Sequence, residues 1–355
     1  MEFITEIRKC GKRVLCNLVL EKSTGWLSRQ YGEGFRRFVG LCLLFIIYES
    51  ITLLFLVLFR MPVQSLWVAS LLTSLIGSLS FYVVSWCYQY SLEKIETASS
   101  ITTIGANIEK RMVEWLRKIV NIWIQFFVSV LYVSLVFLTI YTIKGTISIP
   151  SLFGLVLASF GMGQGGYWAV MGPLLTKELS RGDVSEIGHY PLYPNKTPIL
   201  VAFSKVMAVY GIWDTIMVTL CVVTILVSSP DSKIGTTLYL WIFVISGYGI
   251  TLWNFLYPQI NLAIVLHNAK QNTLLQIQLE TNKLYEEIGK LGNTDFERLK
   301  HLMELHDAVE QSPNTMINLS GITSFIGSLI TPTAVALFGV LDWKSLLQKL
   351  IEFIK

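Results

Sequence analysis

The chain has 355 residues, of which 53% are hydrophobic and 15% charged, against about a quarter charged in an ordinary soluble domain. Its mean hydropathy is +0.56 and its formal net charge +4, a balance that gives no reason to expect direct nucleic-acid binding and excludes an ordinary soluble globular domain. The five cysteines, Cys10, Cys16, Cys42, Cys87 and Cys221, are odd in number and form no CxxC pair, so neither a disulfide framework nor a zinc site is indicated.

Residues 1–38 mix Arg8, Lys9, Lys12 and Arg13 with Leu15, Leu18, Val19 and Leu20. No small-residue cleavage site follows a short apolar core, so the segment reads as an amphipathic cytoplasmic stretch lying on the inner leaflet rather than as a cleaved signal. Residues 39–257 then hold six apolar runs long enough to cross about 30 Å of hydrocarbon. They are Val39–Phe59, Val63–Tyr88, Ile119–Ile143, Ile149–Leu174, Ile199–Val227 and Ile234–Tyr257. Pro62, Pro150, Pro173, Pro230 and Pro258 all fall at run ends, where a missing N–H costs little.

Lys and Arg alternate between the runs. The N-terminal tail has eight, loop 89–118 five, loop 175–198 three and segment 258–315 five, whereas the three intervening turns hold one each. Positive residues favour the cytoplasmic side, so the N-terminus is predicted inside. The fold class expected is all-α, a polytopic transmembrane bundle of six to seven spans with cytoplasmic helical extensions.

In segment 258–315, Leu274, Ile277, Leu284, Ile288 and Leu291 keep a heptad-like spacing. Gly289 and Gly292-Asn293 then end that helix, and Thr294-Asp295-Phe296-Glu297 reads as a capping box for a second one carrying Leu299, Met303 and Val309. An antiparallel hairpin is expected, with self-association through the seam as the alternative. Residues 316–341 form a seventh, uncharged segment, and 342–355 an amphipathic tail. Length favours a seventh span with an external C-terminus, whereas Gly321, Gly327, Pro332 and the tail lysines would suit a re-entrant segment.

Charges at bilayer depth are costly and mark candidate pathways. Glu49 lies in the first run and Asp214 in the fifth; each is either a pathway ligand or a hydrogen-bonded carboxyl between packed helices. In the fourth run, Gly161, Gly163, Gly165 and Gly166 flank Met162 and Gln164. Each glycine costs a helix up to about 1 kcal/mol, which close packing of Gly161 and Gly165 against a neighbour, or local unwinding around a cavity, would offset. Lys177, Arg181, His189, Tyr190, Tyr193 and Lys196, with Lys205 nearby, form the densest polar cluster. They are read as a structured cap or as a site for a cytoplasmic protein or nucleotide ligand. His301 and His306 are five apart, unlike the pair of a zinc protease. No metal site, cofactor or catalytic set is predicted, and no enzyme is expected.

The six or seven spans, the Tyr190–Pro194 loop and the hairpin running through Gln311-Ser312-Pro313-Asn314-Thr315 resemble the layout of uncharacterised bacterial polytopic membrane proteins. Some of these accompany antiphage defence genes as membrane-disrupting effectors. The resemblance implies a homo-oligomeric inner-membrane channel or pore gated from the cytoplasm, with Glu49, Asp214, Gly161, Gly163, Gln164, Gly165 and Gly166 as pathway candidates from the residues themselves. A secondary transporter coupled through Glu49 or Asp214, or a non-conducting scaffold, is the alternative.

Overall fold

Long helices occupy all six apolar runs of the chain. The computed structural model describes residues 2–27, 32–58, 60, 63–144, 149–182, 186–188, 193–228, 233–286, 293–315, 326–327, 330 and 333–334. In order, the helices are α1 (Glu2–Gly11), α2 (Leu15–Ser23), α3 (Glu33–Leu58), α4 (Val63–Ser99), α5 (Ala106–Ile119), α6 (Ile122–Lys144), α7 (Ile149–Met171), α8 (Leu175–Ser180), α9 (Pro198–Ser228), α10 (Lys233–Glu286) and α11 (Asn293–Gln311). Among the described residues there is no strand, only an isolated bridge between Ile104 and Ile187. Four helical stretches, Glu33–Leu58, Ser70–Ser99, Pro198–Thr224 and Val244–Glu286, are long and apolar enough to cross a membrane. The pair Ala106–Ile119 and Ile122–Leu138, bent by 51°, is a fifth if it counts as one span. The expected seventh segment and the tail fall almost wholly outside the described residues.

Helix α4 is the hub, packed against α3, α7 and α9; α10 lies against α9, and α6 against α7. The burial pattern adds, to an apolar core, buried polar residues and an exposed apolar surface. Ser70, Ser74, Ser78, Gln125, Ser129 and Gln164 are buried, while Trp123, Phe127, Leu131 and Leu135 of α6 and Leu54 and Val57 of α3 face outward. Apolar side chains outward and small polar ones between helices is the distribution expected in lipid, where hydrogen bonds and close backbone approach hold helices together.

The glycine-rich stretch stays helical within α7, so local unwinding is not what offsets its cost. A Cβ on Gly161 would come within 2.5 Å of the Gly77 carbonyl oxygen of α4, and one on Gly163 within 2.8 Å of Ser129 Cα of α6. These two glycines point to opposite neighbours and let both helices approach to backbone contact. A Cβ on Gly165 or Gly166 would meet nothing within 4 Å; these two do not extend the packing of Gly161.

The apolar core continues to the C-terminal end of α4. Ile7 and Cys10 of α1, Leu92 and Ile95 of α4, Ile108 and Met112 of α5, Leu179 of α8 and Phe203 of α9 join one buried cluster. The N-terminal helices are therefore seated in the bundle rather than lying on it. Tyr88 donates its hydroxyl to the Ile7 carbonyl at 2.8 Å, Asn17 Nδ2 donates to the Gly11 carbonyl at 2.7 Å, and the Leu15 amide donates to Gln125 Oε1 at 3.1 Å. Glu6 is held between Lys9 at 2.7 Å and Arg117 of α5 at 2.5 Å.

Helix α10 runs unbroken for 54 residues through Pro258, roughly 80 Å at 1.5 Å per residue. Pro258 therefore sits inside a continuous helix, which carries on past the apolar run Ile234–Tyr257. Only one hydrogen bond is lost, and buried Phe255, Gln259 and Leu262 hold the helix on either side. Beyond it, α11 packs back on α10, burying Leu299, Leu302 and Val309. The hairpin is antiparallel through these contacts. Its fastening is Lys270, 8% exposed, whose Nζ donates to the Glu310 carbonyl, to the Ser312 carbonyl at 3.2 Å and to Asn314 Oδ1 at 3.2 Å.

Candidate functional site

A cavity of about 160 Å³ opens between α4, α7, α9 and α10. Gly165 and Gly166 leave the space, because they carry no side chain on the α7 wall. Aromatic and sulfur-bearing side chains line much of the rest, among them Cys87, Met162, Trp168, Tyr210, Trp213 and Cys221. Trp213 stands edge-on to Trp86 with centroids 5.8 Å apart, Tyr210 accepts a hydrogen bond from Ser91 at 3.4 Å, and the Cys221 thiol meets Met162 Sδ at 3.7 Å.

Among the described residues, Asp214 of α9 is the one carboxylate in this lining. Its hydrogen-bond partner among the described residues is Asn254 of α10, which donates Nδ2 to Asp214 Oδ2. Asn254 is fully buried, and its own Oδ1 has no donor among the described residues. The helical bond that Pro258 cannot make would have gone to the carbonyl four residues back, that of Asn254. A carboxylate and the rings of Trp213 and Tyr210 thus meet at one apolar space, with an unpaired amide oxygen on the residue bonded to that carboxylate. Buried acceptors without donors are costly, and such a set is completed by a cation or a donor-bearing group.

The other pathway candidates are not at this cavity. Glu49 is 8% exposed and faces α4, accepting from Ser70 Oγ at 3.1 and 3.0 Å and from Ser74 Oγ at 2.9 Å. Two hydroxyl donors, that of Ser70 shared between both oxygens, serve this buried carboxyl between two packed helices. Gln164 is also fully buried: its Nε2 donates to the Gln125 carbonyl at 2.8 Å and to Ser129 Oγ at 2.7 Å, and its Oε1 lies 3.9 Å from Cys16 Sγ. It ties α2, α6 and α7 together.

At the inner loop, Gly105 donates its amide to the Glu186 carbonyl at 2.6 Å, and Gly188 to the Thr103 carbonyl at 2.9 Å. Asn107 Nδ2 adds a bond to Glu186 Oε1 at 2.7 Å, so this segment closes over the start of α5. Lys177 is half-buried; Arg181 is exposed and donates to Glu178 at 3.4 Å, and its carbonyl accepts from Arg111 at 3.2 Å. Lys196 sits 4.5 Å over the Tyr193 ring. Lys205 is exposed on α9, and His189 and Tyr190 lie outside the described residues. On α11, His306 Nδ1 is 3.5 Å from Asp307 and 3.8 Å from Glu310. These are neighbours one and four residues apart on an exposed helical face, and no ion is assigned to them.

Sequence reasoning misses Asn254 and Lys270. A lone asparagine in an apolar run, four residues before a proline, is a signal that could have found the first. Nothing in the sequence distinguishes Lys270 from an ordinary surface lysine.

Comparisons with protein-family models, with characterised proteins and with solved structures find no match. The class that the fold and site define is therefore the one their own chemistry supports: an all-helical chain with four to five helices able to cross a membrane, enclosing an acidic, aromatic cavity.

Proposed function

We propose that this is a multi-pass bacterial inner-membrane protein that carries a small cation through the cavity at Asp214. In this reading α3, α4, α6, α7, α9 and the first part of α10 each cross the bilayer, with the N-terminus cytoplasmic by the Lys and Arg distribution. The observation that carries the proposal is the pairing of Asp214 with Asn254, whose own oxygen has no donor among the described residues, at a cavity within one chain. A site built within one protomer favours a carrier over a pore formed between subunits. Glu49 then has a structural role, because Ser70 and Ser74 already satisfy it.

The test is flux. Purified protein in proteoliposomes is challenged with gradients of H⁺, Na⁺, K⁺ and methylammonium, and in parallel studied in planar bilayers. Saturable uptake of one of these cations without unitary current steps is expected. Discrete conductance steps would overturn the carrier in favour of a channel.

That second reading, a homo-oligomeric channel of the defence-effector type, has one observation behind it. On the inner hairpin Leu275, Leu279, Phe296 and Met303 are more than half exposed, an apolar face available for self-association.

A further inference from the structure

A basic hollow of about 340 Å³ lies at the elbow between α1 and α2, against the junction of α5 and α6. Lys12, Arg13 and Arg117 bring the charge, and Leu18, Val120 and Ile122 form the apolar part of its wall. Lys12 and Arg13 are exposed and have no acidic side chain within ion-pair distance among the described residues, whereas Arg117 is engaged by Glu6. The elbow is rigid. Asn17 holds the Gly11 carbonyl, a Cβ on Gly11 would fall 2.5 Å from the Tyr88 ring, and Leu15 is bonded to Gln125 in the first turn of α6.

What lies below the hollow identifies its occupant. Helix α6 begins there, capped by Asn121 Oδ1 accepting from the Trp123 amide at 3.0 Å. Its outer face presents Trp123, Phe127, Leu131 and Leu135, each more than half exposed and spaced four apart, so that they form one apolar stripe down the helix. A tryptophan at the head of such a stripe marks the level of the membrane interface. A free anion would use the cations and leave the stripe idle. A phospholipid uses both, with its phosphate in the hollow and an acyl chain along α6.

We infer that Lys12, Arg13 and Arg117 form a binding site for the phosphodiester headgroup of an anionic phospholipid of the inner leaflet. Basic pockets at the cytoplasmic ends of membrane helices suit such headgroups. The lipid would pin α1 and α2 to α6, adding to the Leu15–Gln125 bond. The site is separate from the Asp214 cavity and does not depend on what that cavity carries.

Full-length protein in detergent is titrated with dioleoyl phosphatidylglycerol, dioleoyl phosphatidylcholine or inorganic phosphate, and bound lipid is read by native mass spectrometry. The chain should retain phosphatidylglycerol over phosphatidylcholine. The Lys12→Gln, Arg13→Gln double variant should lose retention by about 30-fold, the effect of two cations near an anionic surface. Lys12→Arg with Arg13→Lys should keep it, as should Lys177→Gln with Lys196→Gln on the inner loop. Salt gives a second readout on the unaltered chain, because the preference should shrink as ionic strength rises. Equal retention of both lipids, a preference indifferent to salt, or unchanged retention in the double glutamine variant would overturn the site. Displacement of the lipid by an equimolar amount of inorganic phosphate would reassign it to a soluble anion.

Discussion

Replacing Lys270 by methionine should release α11 from α10 while leaving the rest of the bundle in place. All three N–H groups of the ammonium are spent on the end of α11: the carbonyls of Glu310 and Ser312 and the side-chain oxygen of Asn314. The Glu310 carbonyl belongs to the last turn and Ser312 follows it, at an end where four C=O groups have no helical partner and the helix dipole is negative. Methionine keeps the stem and removes the donors. Hydrogen bonds to a charged group are worth about 1.5–3 kcal/mol each, but water reaches part of this hairpin end and recovers some of the loss. A net cost of about 3 kcal/mol follows, close to 100-fold in an opening equilibrium at 1.4 kcal/mol per decade. Hydrogen exchange of the full-length protein in detergent, read by mass spectrometry, should show α11 amides exchanging about 100-fold faster. Amides of α4 and α9 should be unchanged. Lys270→Gln, with two donors left, should fall between the variant and the natural chain. A change in α11 below about threefold, or an equal change in every helix, would refute the fastening role.

The glycines of α7 should separate into two classes. Gly161→Leu, which meets the Gly77 carbonyl, should lower stability by at least about 1–3 kcal/mol, read as an earlier thermal unfolding transition in detergent. Gly166→Ala, with nothing within 4 Å, should be neutral or raise stability by up to about 1 kcal/mol, since alanine is the better helix former. Glu6 gives a pH signature. Lys9 and Arg117 hold its carboxyl down from the ordinary 4.5 to about 2. Its contribution to seating α1 is therefore present in full above about pH 4.5 and lost as pH falls towards about 2. In a variant with Cys10 as its sole cysteine, 2,2′-dithiodipyridine, which reacts with thiols in acid, should label this buried thiol faster as pH falls through that window. Glu6→Gln should remove the pH dependence.

The helices were legible because hydrocarbon imposes a simple rule on sequence: long apolar runs, with positive residues at one end. That rule located α3, α4, α6, α7, α9 and α10, but Pro258 at the end of the sixth run does not stop α10, because a proline costs a helix one hydrogen bond and packing on both sides outweighs it. The inward polar residues were harder. Glu49 and Asp214 look alike in sequence, each a lone carboxylate in an apolar run. Ser70 and Ser74 occupy one, whereas an amide and an open cavity face the other, and this difference lies on neighbouring helices. The glycines show the same limit. Spacing suggested that Gly161 and Gly165 work together, but which neighbour each meets depends on how α4 and α6 sit around α7. Gly161 and Gly163 became contacts, and Gly165 and Gly166 became space. The basic elbow at Lys12 and Arg13 was visible as charge, and only the seating of α2 against α6 turned it into a hollow.

The central claim is that Asp214, and not Glu49, is the working carboxylate. Cation flux into proteoliposomes containing the natural chain, Asp214→Asn or Glu49→Gln, each shown to be folded by its exchange pattern, tests it most directly. The account predicts that Asp214→Asn abolishes saturable uptake while Glu49→Gln retains it, with at most a loss of stability. Full uptake by Asp214→Asn, or its loss in Glu49→Gln alone, would contradict it.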